Sequence, residues 1–361
     1  MTIPPIHVIT PVWGAAYTRC FLDIGLASLL APGNLPAVRH EHGNLLHVFT
    51  TENDRLVIEK SPAWQRAQAV VDCRVDVIAP DVISIVQPHT TMSLCHRQAI
   101  ASADTRGAAM MFYNPDIVLA DGGMQALVRL LAQGKRAIQV LGLRLVKEEV
   151  VPLLMQRHMS ADGCSVVVAP RELMAIAMRH LHPFSLMHRY DAPGFDLMPQ
   201  EVFWPVGQEG IVARCFHIHP ILVHPRMRNA SFTTTVDDDY LRAACPDAAD
   251  EYVVADSDEF CLCELSAIQR GTTGLPRNWP DIDIARWAWA QARPHHLEHF
   301  CRRIFLHAGR RSQDDWHAAC VRSDEAVRRI LDQLLEMGAA EARERVRRPE
   351  RSPASATGQS A

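Results

Sequence analysis

The sequence predicts an α/β fold, with a mostly parallel sheet flanked by helices in its first half and a mixed α+β second half. Two observations predict it. Short apolar runs alternate with amphipathic segments from residue 6 to about 141, and the spacing between them suits strand–helix units. After about residue 151 this alternation gives way to scattered short apolar runs. The expected organisation is an α/β region over 1–150, a completing region over 151–339, and a disordered tail over 340–361, which is rich in Glu, Arg, Pro, Ser and Ala.

Each element follows from local chemistry. Ile6 to Thr10 is an apolar run ended by Pro11 and Gly14, which reads as a buried strand. Thr18 to Leu30 carries Phe21, Ile24, Leu26, Leu29 and Leu30 at helical spacing and stops at Pro32-Gly33-Asn34. Leu45 to Thr50 is a second strand. Ser61 and Pro62 open a helix bearing Trp64, Ala67, Val70 and Val71. Val75–Ala79, Ala108–Tyr113 and Ala137–Leu141 are three further strands. Helices are expected over Thr91–Ala103 and after Asp121, where Gly134 supplies the C-terminal glycine. The second half carries a helix from Pro170, strands near 203–207, 215–223, 253–254 and 260–264, and helices over 282–292 and 324–337.

Composition narrows the functional classes. Apolar residues make up 48% of 361 and charged residues 22%, which supports a packed core. The formal net charge of -4 speaks against a nucleic-acid footprint. Ten cysteines are scattered, with Cys261-x-Cys263 the only close pair, so buried reduced thiols are expected in place of a zinc site. No run reaches the about 18 to 20 apolar residues that cross a bilayer, and Met1–Pro5 lacks a basic start. A cytoplasmic location follows as an expectation and leaves peripheral membrane contact open. No G-x-G-x-x-G, P-loop or G-x-S-x-G motif is present.

The chemistry-bearing segment is Phe112-Tyr113-Asn114-Pro115-Asp116-Ile117-Val118-Leu119. A strand ends in two oxygen-bearing side chains at i and i+2, a spacing that lets Asn114 and Asp116 hold one divalent cation. An ordinary Asn-Pro-Asp turn explains the same residues. The segment resembles the Asp-x-Asp motif of GT-A type glycosyltransferases, a Rossmann-like family of nucleotide-sugar enzymes. Asn114 falls on the first acidic position and Asp116 on the second. The resemblance covers roughly residues 5 to 150.

It implies a nucleotide-diphosphate sugar donor and a glycan, lipid-linked or protein acceptor. It also implies magnesium or manganese, which a neutral Asn114 would bind weakly enough to make dispensable. Thr10, Pro11 and Trp13 match the first strand and loop at the nucleotide, and Thr51 and Glu52 match the loop near base and ribose. Arg144 and Lys147, beyond the fifth strand, are candidate phosphate contacts. In the run Asp237-Asp238-Asp239, Asp238 or Asp239 is the candidate base for an acceptor hydroxyl. His217 and His219, on one face of a probable strand, and the late His307 are candidate metal ligands. Two other readings stand beside this one. A metal-dependent hydrolase would use His217, His219 and the 237–239 carboxylates, and a non-catalytic scaffold would keep the fold alone.

Overall fold

The computed structural model describes residues 3–38, 43–192, 198–232, 236–269, 279–311 and 313–347. Strands β1 (Ile6–Pro11), β2 (Leu45–Thr50), β3 (Asp72–Val77) and β4 (Ala109–Phe112) pair in parallel, in the order β3-β2-β1-β4. After β4 the chain turns through 113–116 into β5 (Ile117–Leu119), then forms β6 (Ala137–Val140) and β7 (Leu143–Val146). The second half supplies β8 (Glu201–Val206), β9 (Gly210–Cys215), β10 (His219–Val223), β11 (Glu251–Val253), β12 (Leu262–Ser266) and β13 (Ile304–His307).

The main sheet has seven strands in the order β11-β6-β10-β4-β1-β2-β3. Only β10 runs against its neighbours, wedged between β4 and β6. The expected α/β class with a mostly parallel sheet is therefore observed. Two of its strands come from the region after residue 150. Among the described residues two small sheets, β5-β12-β7 and β13-β9-β8, take up the remaining strands.

Both faces of the sheet are covered, which is why β1, β2 and β4 are apolar without alternation. Val8, Leu46 and Val48 pack with Phe21, Leu26 and Leu127 on one side. Ile9, Phe49, Met110 and Phe112 pack with Cys95, Ala99 and Tyr240 on the other. A third cluster joins Trp204, Val212 and Phe300 to Trp316, Ile330 and Leu334 of the last helix.

Several elements differ from expectation. The loop expected at Thr51 and Glu52 is a helix start, with Thr51 as the N-cap of Glu52–Lys60. Asp121 does not cap the next helix; its Oδ1 accepts the Gly33 N–H at 2.6 Å, and Gly122 takes the cap position. Lys147–Arg157 and Pro294–Phe300 are additional helices. The last helix spans Gln313–Arg347, so the tail expected to be disordered from 340 is helical to 347, while 348–361 lie outside the described residues. Its apolar stripe breaks at Ser323, which is fully buried because a buried Arg214 meets it there.

Candidate functional site

The carboxyl ends of β1, β2 and β4 share one edge of the main sheet, where ligands bind in open α/β folds. The 113–116 turn lies on that edge and is tightly held. The buried Tyr113 hydroxyl reaches the carbonyls of Gly25 (3.1 Å) and Ile117 (3.0 Å) and the Ser28 hydroxyl (3.0 Å). Ser28 Oγ also accepts the Leu119 N–H, and the Asp116 carbonyl accepts the Leu265 N–H at 2.8 Å. Asn114 and Asp116 are half-buried at the top of this clamp.

Gly25 lets the turn sit against the first helix, because a Cβ there would lie 2.8 Å from the Pro115 carbonyl oxygen. Gly25→Ala is expected to push the Asn114–Asp116 turn outward and to cost about 1–3 kcal/mol in urea unfolding, the usual size of overpacking. An unchanged midpoint would refute the tight contact.

β10 runs antiparallel to β4 in the register Leu222↔Met111, which carries its first residue, His219, to the level of the turn. His219 Nδ1 lies 2.8 Å from Asp237 Oδ1. Its Nε2 is buried, and the ring also meets the Phe112 carbonyl. Burial works against charge on this imidazole, but Asp237 and, further off, Glu264 outweigh it and raise its pKa.

Four buried polar atoms lack partners among the described residues near this edge. They are Thr10 Oγ1, Thr50 Oγ1, Thr91 Oγ1 and His96 Nε2. Thr10 is the penultimate residue of β1 and Thr50 the last of β2, and Thr91 and His96 lie in the first three turns of the Pro88–Arg106 helix. All four side chains are at most 2% exposed, so these polar atoms belong to the interior beneath the edge and not to its surface.

The other expected site residues fall as follows. Pro11 ends β1, and the half-buried Trp13 packs against the Ile9–Phe49–Phe112 cluster. The Thr51 hydroxyl donates to Asp54 Oδ2 at 2.7 Å while capping its helix. The same carboxylate accepts from Gly14 N and Thr18 Oγ1, tying the β1 loop to the β2 loop. Glu52 pairs with Arg55. Arg144 pairs with Glu264 at 3.1 Å and lies over the Phe184 ring. Lys147 Nζ reaches the Ala16 carbonyl at 3.4 Å. The side chain of Asp238 lies outside the described residues. Asp239 is 3.8 Å from Arg293, and Asp237 is the member of the run that meets His219.

The expected two-histidine face is not formed. His217 precedes β10, and its ring lies 3.9 Å from that of His296, while His219 turns to Asp237. Strand geometry begins only at His219, so alternation does not govern His217. His307 sits elsewhere again. Its Nδ1–H donates to the Gly309 carbonyl, its Nε2 lies 2.8 Å from Asp256 Oδ1, and Asp258 is 3.8 Å away. These three side chains form a group that could hold a metal ion. Arg311 pairs with Asp256 and Arg171 with Asp258, so the carboxylates already carry cationic partners. Since β12 meets β5 in the register Leu262↔Leu119 to Glu264↔Ile117, the chain leading back to Asp258 runs away from Asp116.

Sequence reasoning missed a histidine cluster. His296 touches His217 and His295, and His299 Nε2 lies 3.3 Å from Glu251. Its signal was Pro294-His295-His296-Leu297-Glu298-His299, three imidazoles on one short helix. It also missed Glu201, whose pKa burial raises to about 7 against the pull of Arg144.

No family model matches the chain, and no curated protein does. Solved structures of S. aureus TarS and of a Bacillus anthracis glucose-1-phosphate thymidylyltransferase are similar to it, at 12% and 10% identity with TM-scores of 0.28 and 0.25. Each match covers 39% of this chain, and it spans 22% of the first protein and 55% of the second, under two-thirds of either. Scores this low show no shared function.

Proposed function

We propose that this chain is a glycosyltransferase that moves a sugar from a nucleotide-diphosphate donor to a glycan, lipid or protein acceptor. The observation that carries the reading is the strand edge itself, where a clamped Asn-Pro-Asp turn presents the half-buried Asn114 and Asp116 at the carboxyl ends of β1, β2 and β4. The oxygen ligands of the turn suit the diphosphate.

The donor set of the turn is one amide oxygen and one carboxylate, oxygen ligands that a hard divalent cation accepts. Asn114 and Asp116 would hold such an ion, which would offset diphosphate charge as the leaving group departs. With a single formal charge between them, they would hold it loosely. Among the described residues no helix is long and apolar enough to cross a membrane.

Thermal unfolding with a panel of nucleoside diphosphates and nucleotide sugars, with and without manganese, tests the reading. One nucleotide class at a hundred times its dissociation constant should add about 2.7 kcal/mol. Asp116→Ala should weaken that effect. Stabilisation by no nucleotide would remove the proposal.

The Asp256–Asp258–His307 group supports a second reading, a metal-dependent hydrolase. Metal retained by the purified chain, together with no nucleotide response, would favour it.

A further inference from the structure

We infer that an apolar cleft among the helices beside the strand edge holds the aliphatic chain of an amphiphilic acceptor. This rests on reading the edge as the donor site, and it names the class of acceptor that the site serves.

The cleft has a volume of about 410 Å³, in the range of small-molecule sites. Its walls are the Ala15–Cys20 helix with its Phe21–Gly25 continuation, the Glu52–Lys60 helix, the start of Pro62–Gln68, and the end of Lys147–Arg157 with the turn after it. Leu22, Val57, Ala63, Met155 and Met159 make the lining mostly apolar. Val57 is 55% exposed and Met155 41%, so the fold leaves part of this wall uncovered. Methionines adapt their shape to a flexible chain.

The polar part of the lining is already spent within the chain. Asp54 accepts from Gly14 N, from Thr18 Oγ1 and from the Thr51 hydroxyl. Ser61 Oγ donates to the Ile58 carbonyl and accepts the Trp64 N–H. A sugar or a nucleotide needs unspent donors and acceptors or an aromatic surface to lie on. Among the described residues that line the cleft none is aromatic. A methylene chain asks only for apolar area from which water can leave. The polar group left at the mouth is the Arg19–Asp23 ion pair, with Arg19 79% exposed, and it suits a polar head.

The cleft is continuous with the proposed donor site. Its Thr18–Asp54 wall is the tie between the loops that follow β1 and β2. Burial pushes the Cys20 thiol up to about 12, and the charges it feels next are those of Lys147, Asp116 and Asp23. The mouth residue Asp23 and the turn residue Asp116 therefore flank one buried side chain. Gly25, which ends the cleft's first wall, is the residue against which Pro115 packs. A chain seated in the cleft with its head at the Arg19–Asp23 pair puts that head toward the turn.

The test uses the full chain and n-alkyl glucosides of six, eight and ten carbons, each below its micelle concentration. Calorimetric titration without donor should give dissociation constants that fall about two- to fourfold per added methylene, as burial of a CH₂ group predicts. Val57→Asp should weaken octyl glucoside binding about tenfold or more, because it sets a charge against the chain. Met155→Gln, a gentler change at an exposed position, should weaken it in the same direction. Leu335→Asp, at a leucine 73% exposed on the last helix, should leave it unchanged. Binding that ignores chain length, or that both cleft variants leave intact, would overturn the cleft. With the nucleotide sugar that most raises the melting temperature as donor, KM for the glucosides should fall in the same progression. Turnover that is absent or indifferent to chain length would overturn the acceptor role alone. Stabilisation by no donor would overturn the reading of the edge and the acceptor role with it, while the calorimetry decides the cleft by itself.

Discussion

Taking the chain from pH 7 to about pH 5 is expected to remove on the order of 4 kcal/mol from its unfolding free energy. Three buried histidines set the size. Burial, then Arg106, pushes His7 down to about 4. Burial, then His219, takes His96 to about 3. Burial, then His217, takes His296 to about 3. All three side chains are at most 4% exposed, so solvent screens them little.

Their folded-state values lie below the unfolded value near 6.5, so the unfolded chain binds more protons across the window between. The stabilisation is complete above about 6.5 and is lost as pH falls toward 3 to 4. At about 1.4 kcal/mol per unit, each histidine contributes roughly 1–2 kcal/mol of loss by pH 5. That sum rivals the whole stability of an ordinary domain, about 5–15 kcal/mol. Glu201, raised by burial to about 7, gains stability as pH falls through that value and offsets part of the loss, which keeps the net near the low end of the histidine sum. His219 also acts with the opposite sign. Its raised pKa stabilises the fold fully below about 6.5 and less as pH rises, and as one half-buried group it offsets little. Urea midpoints at the two pH values check the claim, and equal midpoints would sink it. His96→Gln should flatten the dependence by its own share.

The parallel core was legible because its strands are buried on both faces and read as unbroken apolar runs. Ile6–Thr10, Leu45–Thr50 and Ala137–Leu141 match observed strands to within a residue. The strands and their parallel pairing are the part such runs predict, and the order β3-β2-β1-β4 comes from the fold alone. The insertion of β10 and β11 is not, because pairing across more than a hundred residues leaves no local pattern. The Asn114–Asp116 turn was visible as a break in apolar sequence. What holds it, a tyrosine hydroxyl bonded to the Gly25 carbonyl 88 residues away, was not. The acidic run 237–239 was noticed as a cluster, but adjacent carboxylates cannot be ranked by spacing. Only the fold sets Asp237 against His219 and Asp239 near Arg293. The last helix was read too short for a related reason. A buried serine interrupts its stripe, and the polar partner that explains the serine lies on β9.

That partner leads to the second large effect: Asp324→Ala is expected to destabilise the chain by about 3 kcal/mol, and Arg214→Met by clearly less. The Arg214 side chain is only 3% exposed. Its guanidinium donates to the Cys301 carbonyl, to Ser323 Oγ and to Asp324, while its Nε meets no partner among the described residues. Burial lowers its pKa, and Asp324 opposes that shift most strongly. Removing Asp324 strands a charge that can neither reach water nor shed its proton. Removing Arg214 instead leaves Asp324 with Arg303 and with solvent, since that carboxylate is 32% exposed. A methionine would also place apolar volume against Val212 and Trp316, which line the same cluster. The asymmetry is the diagnostic, because a simple pairwise salt bridge would cost the same from either side. Urea unfolding of both single variants and of the double variant measures it. The double variant should recover most of the loss seen in Asp324→Ala. Equal losses in the two single variants would show that Arg214 is hydrated enough to stand alone, and that the last helix is held to β9 by its apolar stripe and not by this charge.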